Sequence, residues 1–301
     1  MGGTRFVGKP LVQALAAKGH SLTLFTRGIH SIPEAVEHIL GDRSNEEGLK
    51  GLLGRKYDVI VDSSGRTLQD TKRVVSVVGP PSKRLVYVSS AGIYASSHQW
   101  PLTEESPIDP SSRHIGKVET ENWLRKEGIP FTSFRPTYIY GPGNYNPIES
   151  WFFDRIVHNK SVPMPGDGRT ITQLGHVRDL AGAMVRSLDV DKAINQAYNC
   201  SGSSGITFLG LIHAAAIACG KSPQDIDIRP FEPSGLDPKA RKAFPLRISH
   251  FLTDITKIKT DLAWFPETDL QKGLKDSFEN DYLLNSNKEP DFTSDQLLIG
   301  T

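Results

Sequence analysis

The sequence predicts an α/β protein: a Rossmann-like doubly wound parallel sheet carrying a smaller C-terminal α/β lobe. Three observations predict it. Apolar, β-branched runs alternate with helical patterns through the first half of the chain. A glycine-rich turn, Gly2-Gly3-Thr4-Arg5-Phe6-Val7-Gly8, opens directly into a helix with apolar Val7, Leu11 and Leu15. In that arrangement backbone N–H groups at a helix N-terminus face a pyrophosphate. From about residue 139 the texture changes to turns and short mixed elements.

Taken in order, the helix at 7–17 is followed by a buried strand, Ser21-Leu22-Thr23-Leu24-Phe25-Thr26. A short strand at 36–40 ends at Gly41-Asp42-Arg43, and a helix is expected at 46–53. The clearest strands are 58–62 and 84–89, with helices at 67–78 and 114–126 and a further strand at 130–134 before Arg135-Pro136. These elements place a nucleotide-binding type of domain at 1–140. A glycine loop of this kind ordinarily follows the central strand of its sheet, and here the first strand is missing. A sheet lacking it leaves two edges unpaired, so about five to eight residues rich in Val, Ile and Leu are expected ahead of Met1.

The smaller lobe is expected at 141–284. It opens with a loop, Tyr140-Gly141-Pro142-Gly143-Asn144-Tyr145-Asn146-Pro147. A helix at 148–159, a strand at 171–177 and a helix at 178–188 follow. A strand near 197–200 crosses back to the first domain, and a helix at 208–219 comes next. Residues 231–251, rich in Pro, Lys and Arg, read as irregular. Helices at 254–262 and 270–282 bracket Ala263-Trp264-Phe265-Pro266, and 285–301 reads as a polar tail. No internal repeat is visible.

Composition narrows the function classes. A chain of 301 residues with 38% hydrophobic and 23% charged residues buries an ordinary globular core. Net charge of +1 provides no global basic field, so any nucleic-acid partner needs a local patch. The only cysteines, Cys200 and Cys219, lack metal-ligand spacing and suit a reducing compartment. No stretch approaches the length of a membrane span, and no metal site is expected.

The glycine turn, Gly41-Asp42, Ser89-Ser90-Ala91-Gly92-Ile93-Tyr94 and Arg135-Pro136-Thr137-Tyr138-Ile139-Tyr140-Gly141-Pro142 together resemble the extended short-chain dehydrogenase/reductase superfamily. So do His176-Val177-Arg178-Asp179, Tyr198-Asn199-Cys200-Ser201-Gly202 and Leu262-Ala263-Trp264-Phe265-Pro266. That superfamily includes nucleotide-sugar epimerases and dehydratases. The resemblance implies a cofactor crevice at Gly2, Gly3, Arg5, Gly8, Arg27, Asp42 and Arg43. Three departures bear on use. Arg5 stands at the middle glycine of the loop motif, either directed outward or crowding the pyrophosphate. The second strand ends in Thr26-Arg27-Gly28, with a guanidinium where a carboxylate would hold the NAD ribose, which favours NADP over NAD. Arg5, Arg27 and Arg43 either converge on the crevice or are solvated surface residues.

The third departure concerns chemistry. The superfamily uses Ser, Tyr and Lys, the last two spaced Tyr-x-x-x-Lys. Ser90 and Lys117 match, but Arg113 stands where the Tyr should be. Arginine stays protonated and cannot act as a general base, so Ser90, Arg113 and Lys117 read as relic positions and ordinary hydride chemistry is not expected. His114 titrates in the useful range, but the next position on a helix is turned about 100° away. Tyr94 and Tyr140 read as packing or site-wall residues.

A more specific set of residues resembles the chloroplast stem-loop-binding protein family and its cyanobacterial relatives, which are atypical short-chain dehydrogenase/reductases. It comprises Gly2 to Gly8, Leu24-Phe25-Thr26-Arg27-Gly28, Ser112-Arg113-His114-x-Gly116-Lys117-x-Glu119-Thr120-Glu121, Tyr138 to Pro147, Gln173 to Val177, and Lys242-Ala243-Phe244-Pro245-x-Arg247. The resemblance implies binding of stem-loop RNA, association with plastid transcripts and ribosomes and, for some members, metal-dependent RNA cleavage. It implies a location in the bacterial cytoplasm or, alternatively, the chloroplast stroma. Arg5, Arg27, Arg43 and Arg113 would add charge along the crevice. A second RNA-binding candidate is the run Lys239, Arg241, Lys242, Phe244 and Arg247, equally readable as a solvated loop. Phe244 or Tyr145 could stack on an unpaired base. Asp62 and Glu119 lack a convincing metal pairing, so no nuclease site is named and the divalent metal stays unknown. A homo-oligomer is expected by analogy, through the helix at 114–126, and no membrane partner is expected. Two alternatives stand beside RNA binding: an NADP-dependent nucleotide-sugar epimerase, dehydratase or reductase, and a nucleotide-responsive scaffold.

Overall fold

The computed structural model describes residues 1–33, 36–146, 148–285 and 289–300. Pro147 of the loop motif, and residues 286–288 and 301 of the expected tail, lie outside the described residues. The chain forms two compact units. The first comprises Met1–Thr137, Val177–Cys200 and Thr253–Phe265; the second comprises Tyr138–His176, Ser201–Leu252 and Pro266–Thr301. The first unit therefore takes back two segments of chain, the expected strand near 197–200 and also the helix Thr256–Leu262.

The first unit is built on a Rossmann-like parallel sheet. Four strands lie in the order Gln196–Cys200, Phe131–Pro136, Arg84–Val88 and Val59–Asp62, all parallel. A separate parallel pair joins Thr23–Thr26 to Glu37–Leu40. The Met1 amine donates to the Val61 carbonyl at 2.8 Å, and the Gly2 N–H donates to the Phe25 carbonyl at 3.3 Å. Residues 1 and 2 thus reach both the four-stranded sheet and the strand pair.

Burial on both faces explains the uninterrupted apolar runs: every residue of Arg84–Val88 is buried. Even Arg84 is satisfied there, because its guanidinium donates to the Ser187 and Val190 carbonyls at the end of helix Val177–Ser187. Crossover helices cover the sheet. Leu68–Val78 starts at a capping box, in which the Thr67 hydroxyl accepts from the Asp70 N–H and the Asp70 carboxylate accepts from the Thr67 N–H. Its Val74 and Val75 join Phe25, Ile60, Leu85, Tyr87, Leu124 and Phe131 in one core. The segment expected as a helix at 46–53 is a 3₁₀ turn, Glu47–Leu52. It inserts Leu49 and Leu52 into that core, so packing outweighs its weak helical pattern.

The second unit holds an aromatic core. Trp151, Phe152 and Phe153 of helix Glu149–Val157 pack with Phe208 of helix Phe208–Ala218 and with Phe231, Phe244 and Leu274. Two parallel strands that sequence patterning missed, Val162–Pro165 and Ile228–Phe231, pair beside them. Their prolines hid them, because a proline normally argues against a strand interior. The expected strand at 171–177 is divided into Ile171–Thr172 and Leu174–His176, and the latter pairs with Tyr138–Tyr140. The interval read as irregular contains a helix, Pro238–Ala243, started by the Asp237 carboxylate on the Lys239 and Ala240 N–H groups. The segment read as a polar tail also departs from expectation. Its Asp295 pairs with the buried Arg155, whose guanidinium lies 3.6 Å from the Trp151 ring centroid, and Leu298 is buried.

Candidate functional site

The glycine loop keeps a backbone shape suited to a pyrophosphate. Gly2 and Gly3 have φ of +87° and +116°, a region that residues with a Cβ rarely adopt. A Cβ on Gly8 would stand 2.5 Å from the Gly3 backbone, so loop and first helical turn touch in a way only glycine permits. Helix Gly8–Ala17 begins there, stapled by the Gly8 N–H donating to the Arg5 carbonyl at 2.8 Å. Arg5, at the middle position, is exposed. At the end of strand Thr23–Thr26 the Thr26 hydroxyl accepts from the Gly28 N–H and pairs with His38 Nε2, leaving Arg27 exposed beside Asp42, whose charge interacts with it.

Arg43 is paired within the first unit. Its two Nη atoms donate to the two oxygens of Asp62, at 2.5 and 2.8 Å, and Nη1 also donates to the Ser64 hydroxyl. Asp62 lies at the end of strand Val59–Asp62 and accepts from the Ser64 and Gly65 N–H groups and the Thr71 hydroxyl as well. Burial would raise the Asp62 carboxyl, but the hydrogen bonds and charge of Arg43 hold it well below the ordinary carboxylate range. The pair is an internal clamp. The sequence shows only an acidic residue closing an apolar strand; its partner comes from a segment 19 residues earlier and is set by tertiary placement.

The relic catalytic positions Ser90, Arg113 and Lys117 all lie in the first unit. Lys117, on helix Ile115–Lys126, donates from Nζ to the Gly65 and Val88 carbonyls, each at 2.6 Å, over the Tyr87 ring. Burial pushes its ammonium down to about 8, opposed by the charge of Asp62. Ser90 starts a short turn, Ala91–Ile93, by accepting from the Gly92 N–H. Arg113 is exposed, and its Nε donates to His114 Nε2 at 3.1 Å.

His114 departs from expectation. The helix begins only at Ile115, so the helical rotation that would turn His114 away does not apply. Ser112, the first residue of the motif that runs to Lys117, fixes the turn: its hydroxyl donates to the Gly92 carbonyl at 2.8 Å and accepts from the His114 N–H at 3.1 Å. The imidazole consequently lies against Gly92. A Cβ there would be 3.1 Å from both His114 Nε2 and Ser90 Oγ, so ring and serine both flank Gly92. The only signal for this was Ser112 itself, a short hydroxyl before the turn.

Tyr94 and Tyr140 are packing residues. The Tyr94 hydroxyl donates to Asn199 Oδ1 and accepts from Arg135, which is itself paired with the buried Glu121. The Tyr140 ring stands edge-on to His176 in the second unit.

The basic run divides. Phe244 is 2% exposed and packs edge-on against Trp151, Phe152, Phe208 and Phe231, so it cannot receive a base. Its inclusion in an RNA-stacking set was wrong, because the aromatic was needed by the core. Arg241 donates to the Phe244 and Leu246 carbonyls, and the Arg247 guanidinium lies 4.5 Å from the Phe251 ring centroid. Lys239 and Lys242 are exposed. Among the described residues no group of three His, Cys, Asp or Glu side chains is placed to hold a metal ion, and no helix is long and apolar enough to cross a membrane.

Residues 1–201 match the NAD dependent epimerase/dehydratase family. The chain is 40% identical over 316 residues to the chloroplast stem-loop binding protein of 41 kDa b of Arabidopsis thaliana, a match covering 99% of this chain and 83% of that relative. Among solved structures, a UDP-glucose 4-epimerase of Thermotoga maritima superposes with a TM-score of 0.77 at 18% identity, over 95% of this chain and 98% of that one. A dTDP-glucose 4,6-dehydratase of Bacillus anthracis, in complex with NAD, gives 0.76 at 19% identity over 94% and 95%. These structures share the fold.

Proposed function

The chain belongs to the NAD dependent epimerase/dehydratase family, together with the chloroplast stem-loop binding proteins, and from that premise we propose that it binds stem-loop RNA on a dehydrogenase fold whose usual chemistry is lost. One observation carries the reading: Arg113 occupies the position of the proton-transferring tyrosine, exposed and hydrogen-bonded to His114. A permanent cation there removes the general base and supplies an anion contact. The Arabidopsis relative, named for stem-loop binding, lends the RNA its identity.

RNA phosphates would meet Arg113, Arg5 and Arg27 on the first unit; Lys239 and Lys242 on the second are a separate candidate contact. Processing of the RNA, ribosome association and a homo-oligomer belong to this proposal, as does a location in the bacterial cytoplasm or the chloroplast stroma. The glycine loop remains suited to a dinucleotide: Gly2, Gly3 and Gly8 would hold the pyrophosphate, and Arg27 would favour the 2′-phosphate of NADP. When bound, that group supplies hydride chemistry.

A second reading has an observation of its own. The His114 imidazole, flanking Gly92 together with Ser90, is placed to exchange a proton with a substrate hydroxyl, so an NADP-dependent reductase or epimerase using His114 is the alternative. Titration of the full chain with a labelled stem-loop RNA and with NADPH, over a series of salt concentrations, separates the two. RNA binding at micromolar strength or tighter with a steep salt dependence is expected. Turnover of a nucleotide sugar that His114→Ala abolishes, without RNA binding, would overturn it.

A further inference from the structure

Arg66 belongs to none of the sequence motifs, yet it is exposed just beyond the carboxyl end of strand Val59–Asp62, directly before the Thr67 cap of helix Leu68–Val78. Open parallel sheets of this class take their ligands outside the carboxyl ends of their strands. The Arg66 backbone is held on both sides. Its N–H donates to the Asp70 carboxylate at 2.9 Å, as the Thr67 N–H does. Its carbonyl lies against helix Ile115–Lys126: a Cβ on Gly116 would stand 2.8 Å from it, an approach that glycine permits. Arg113, also exposed, stands three residues ahead of that glycine.

The carboxylates on these elements are already committed. Asp62 is clamped by Arg43, and Asp70 caps its helix and lies 3.7 Å from Arg73. Lys117 adds a third cation, because its Nζ donates to the carbonyl of Gly65, the residue before Arg66. Burial pushes that ammonium down, and the charges of Arg43 and Arg66 add to the effect. None of Arg66, Arg113 and Lys117 forms an ion pair among the described residues. Ahead of the strands, at their amino ends, exposed cations are matched instead: Lys18 with Asp189 at 2.5 Å and Arg55 with Glu37 at 2.7 Å. The excess positive charge thus gathers at the end of the sheet where a ligand is received.

We propose that Arg66 and Arg113 hold neighbouring phosphates of one RNA strand. The inference rests on the RNA-binding reading and adds Arg66 to it. A guanidinium presents a planar fork of donors that matches a phosphate, and it stays charged at every working pH. Phosphates are common to paired and unpaired RNA, so the contact positions the strand without reading its sequence.

The test titrates the full chain with a labelled stem-loop RNA over a series of salt concentrations, and separately with NADPH. Arg66→Gln is expected to weaken RNA binding about fivefold and to lower its salt slope by about one counterion, with NADPH affinity unchanged. Arg66→Gln combined with Arg113→Gln should lower the slope by about two. Lys56, exposed just ahead of the same strand, is the control: Lys56→Gln removes an equal charge and should leave RNA affinity within about twofold. An unchanged slope for Arg66→Gln, or an equal loss from Lys56→Gln, overturns the proposal. A loss confined to NADPH also overturns it and assigns Arg66 to the dinucleotide. Failure of the unaltered protein to bind the RNA would overturn the RNA-binding reading itself, a result distinct from these.

Discussion

The glycine loop at residues 2–8 and the turn at 112–117 have fared differently within one unit. The loop works through backbone. Its φ values and the contact between Gly3 and Gly8 are preserved, and the one foreign side chain, Arg5, is exposed. The turn works through side chains, and on the proposed reading Arg113 stands in place of the proton-transfer group, while Ser90 caps its turn and Lys117 holds the Gly65 and Val88 carbonyls. A site made of N–H groups survives changes of sequence that keep its glycines. A site made of a titrating side chain is lost with that side chain. The fold therefore reports ancestry through the loop, and use through the turn.

The clamp between Arg43 and Asp62 lies next to the loop, and breaking it is expected to have the largest effect. Arg43→Ala leaves Asp62 buried without its countercharge and should cost about 3–5 kcal/mol of stability in chemical denaturation. Arg43→Ala combined with Asp62→Asn should recover much of that loss. If the single variant unfolds like the unaltered protein, Arg43 is a surface residue after all, and the loop regains a rim cation.

Glu149 offers a contrast from the second unit, where a titrating group has been retained in a structural role. Burial raises its carboxyl to about 7, against hydrogen bonds from Gly141 and Asn144. The folded protein holds this proton more tightly than the unfolded chain. Its stabilising contribution is thus complete below the unfolded value of about 4.5 and is lost as pH rises through about 7. The shift corresponds to about 3 kcal/mol, and Glu149→Gln should flatten that part of the stability profile measured between pH 8 and 5. An unchanged profile would place the titration elsewhere.

Smaller effects separate loop from turn. Arg27→Asp should reduce NADPH affinity about tenfold or more and reverse the preference toward NADH, measured by calorimetry, because a charge-assisted contact to the 2′-phosphate is replaced by repulsion. Arg113→Tyr should leave NADPH affinity unchanged and lower the slope of RNA affinity against salt by about one counterion. An equal effect of both changes on both ligands would mean that loop and turn do not differ in the way described.

Much of this was legible in the sequence, and the limits have physical causes. The Rossmann-like sheet was readable because its central strands appear as near-continuous apolar runs, as in Arg84–Val88, buried on both faces, and Val59–Asp62, where buried and half-buried residues alternate. The proposal of a relic site rests on one residue type, because arginine cannot do what tyrosine does. Phe244 was misplaced because a phenylalanine among cations looks like a nucleic-acid surface until the rings that cover it are known. His114 was set aside because the helix start was drawn one residue early, and helix ends are where local patterning is weakest. The partnership of Arg43 with Asp62 spans two strands and depends on tertiary placement, which no local pattern encodes.

The central claim is tested most directly by the salt dependence of stem-loop RNA binding, measured side by side for the full-length protein and Arg113→Tyr. The account predicts binding at micromolar strength or tighter that weakens steeply with salt, and a shallower slope by about one counterion in the variant. No RNA binding, together with nucleotide-sugar turnover that His114→Ala abolishes, would contradict it.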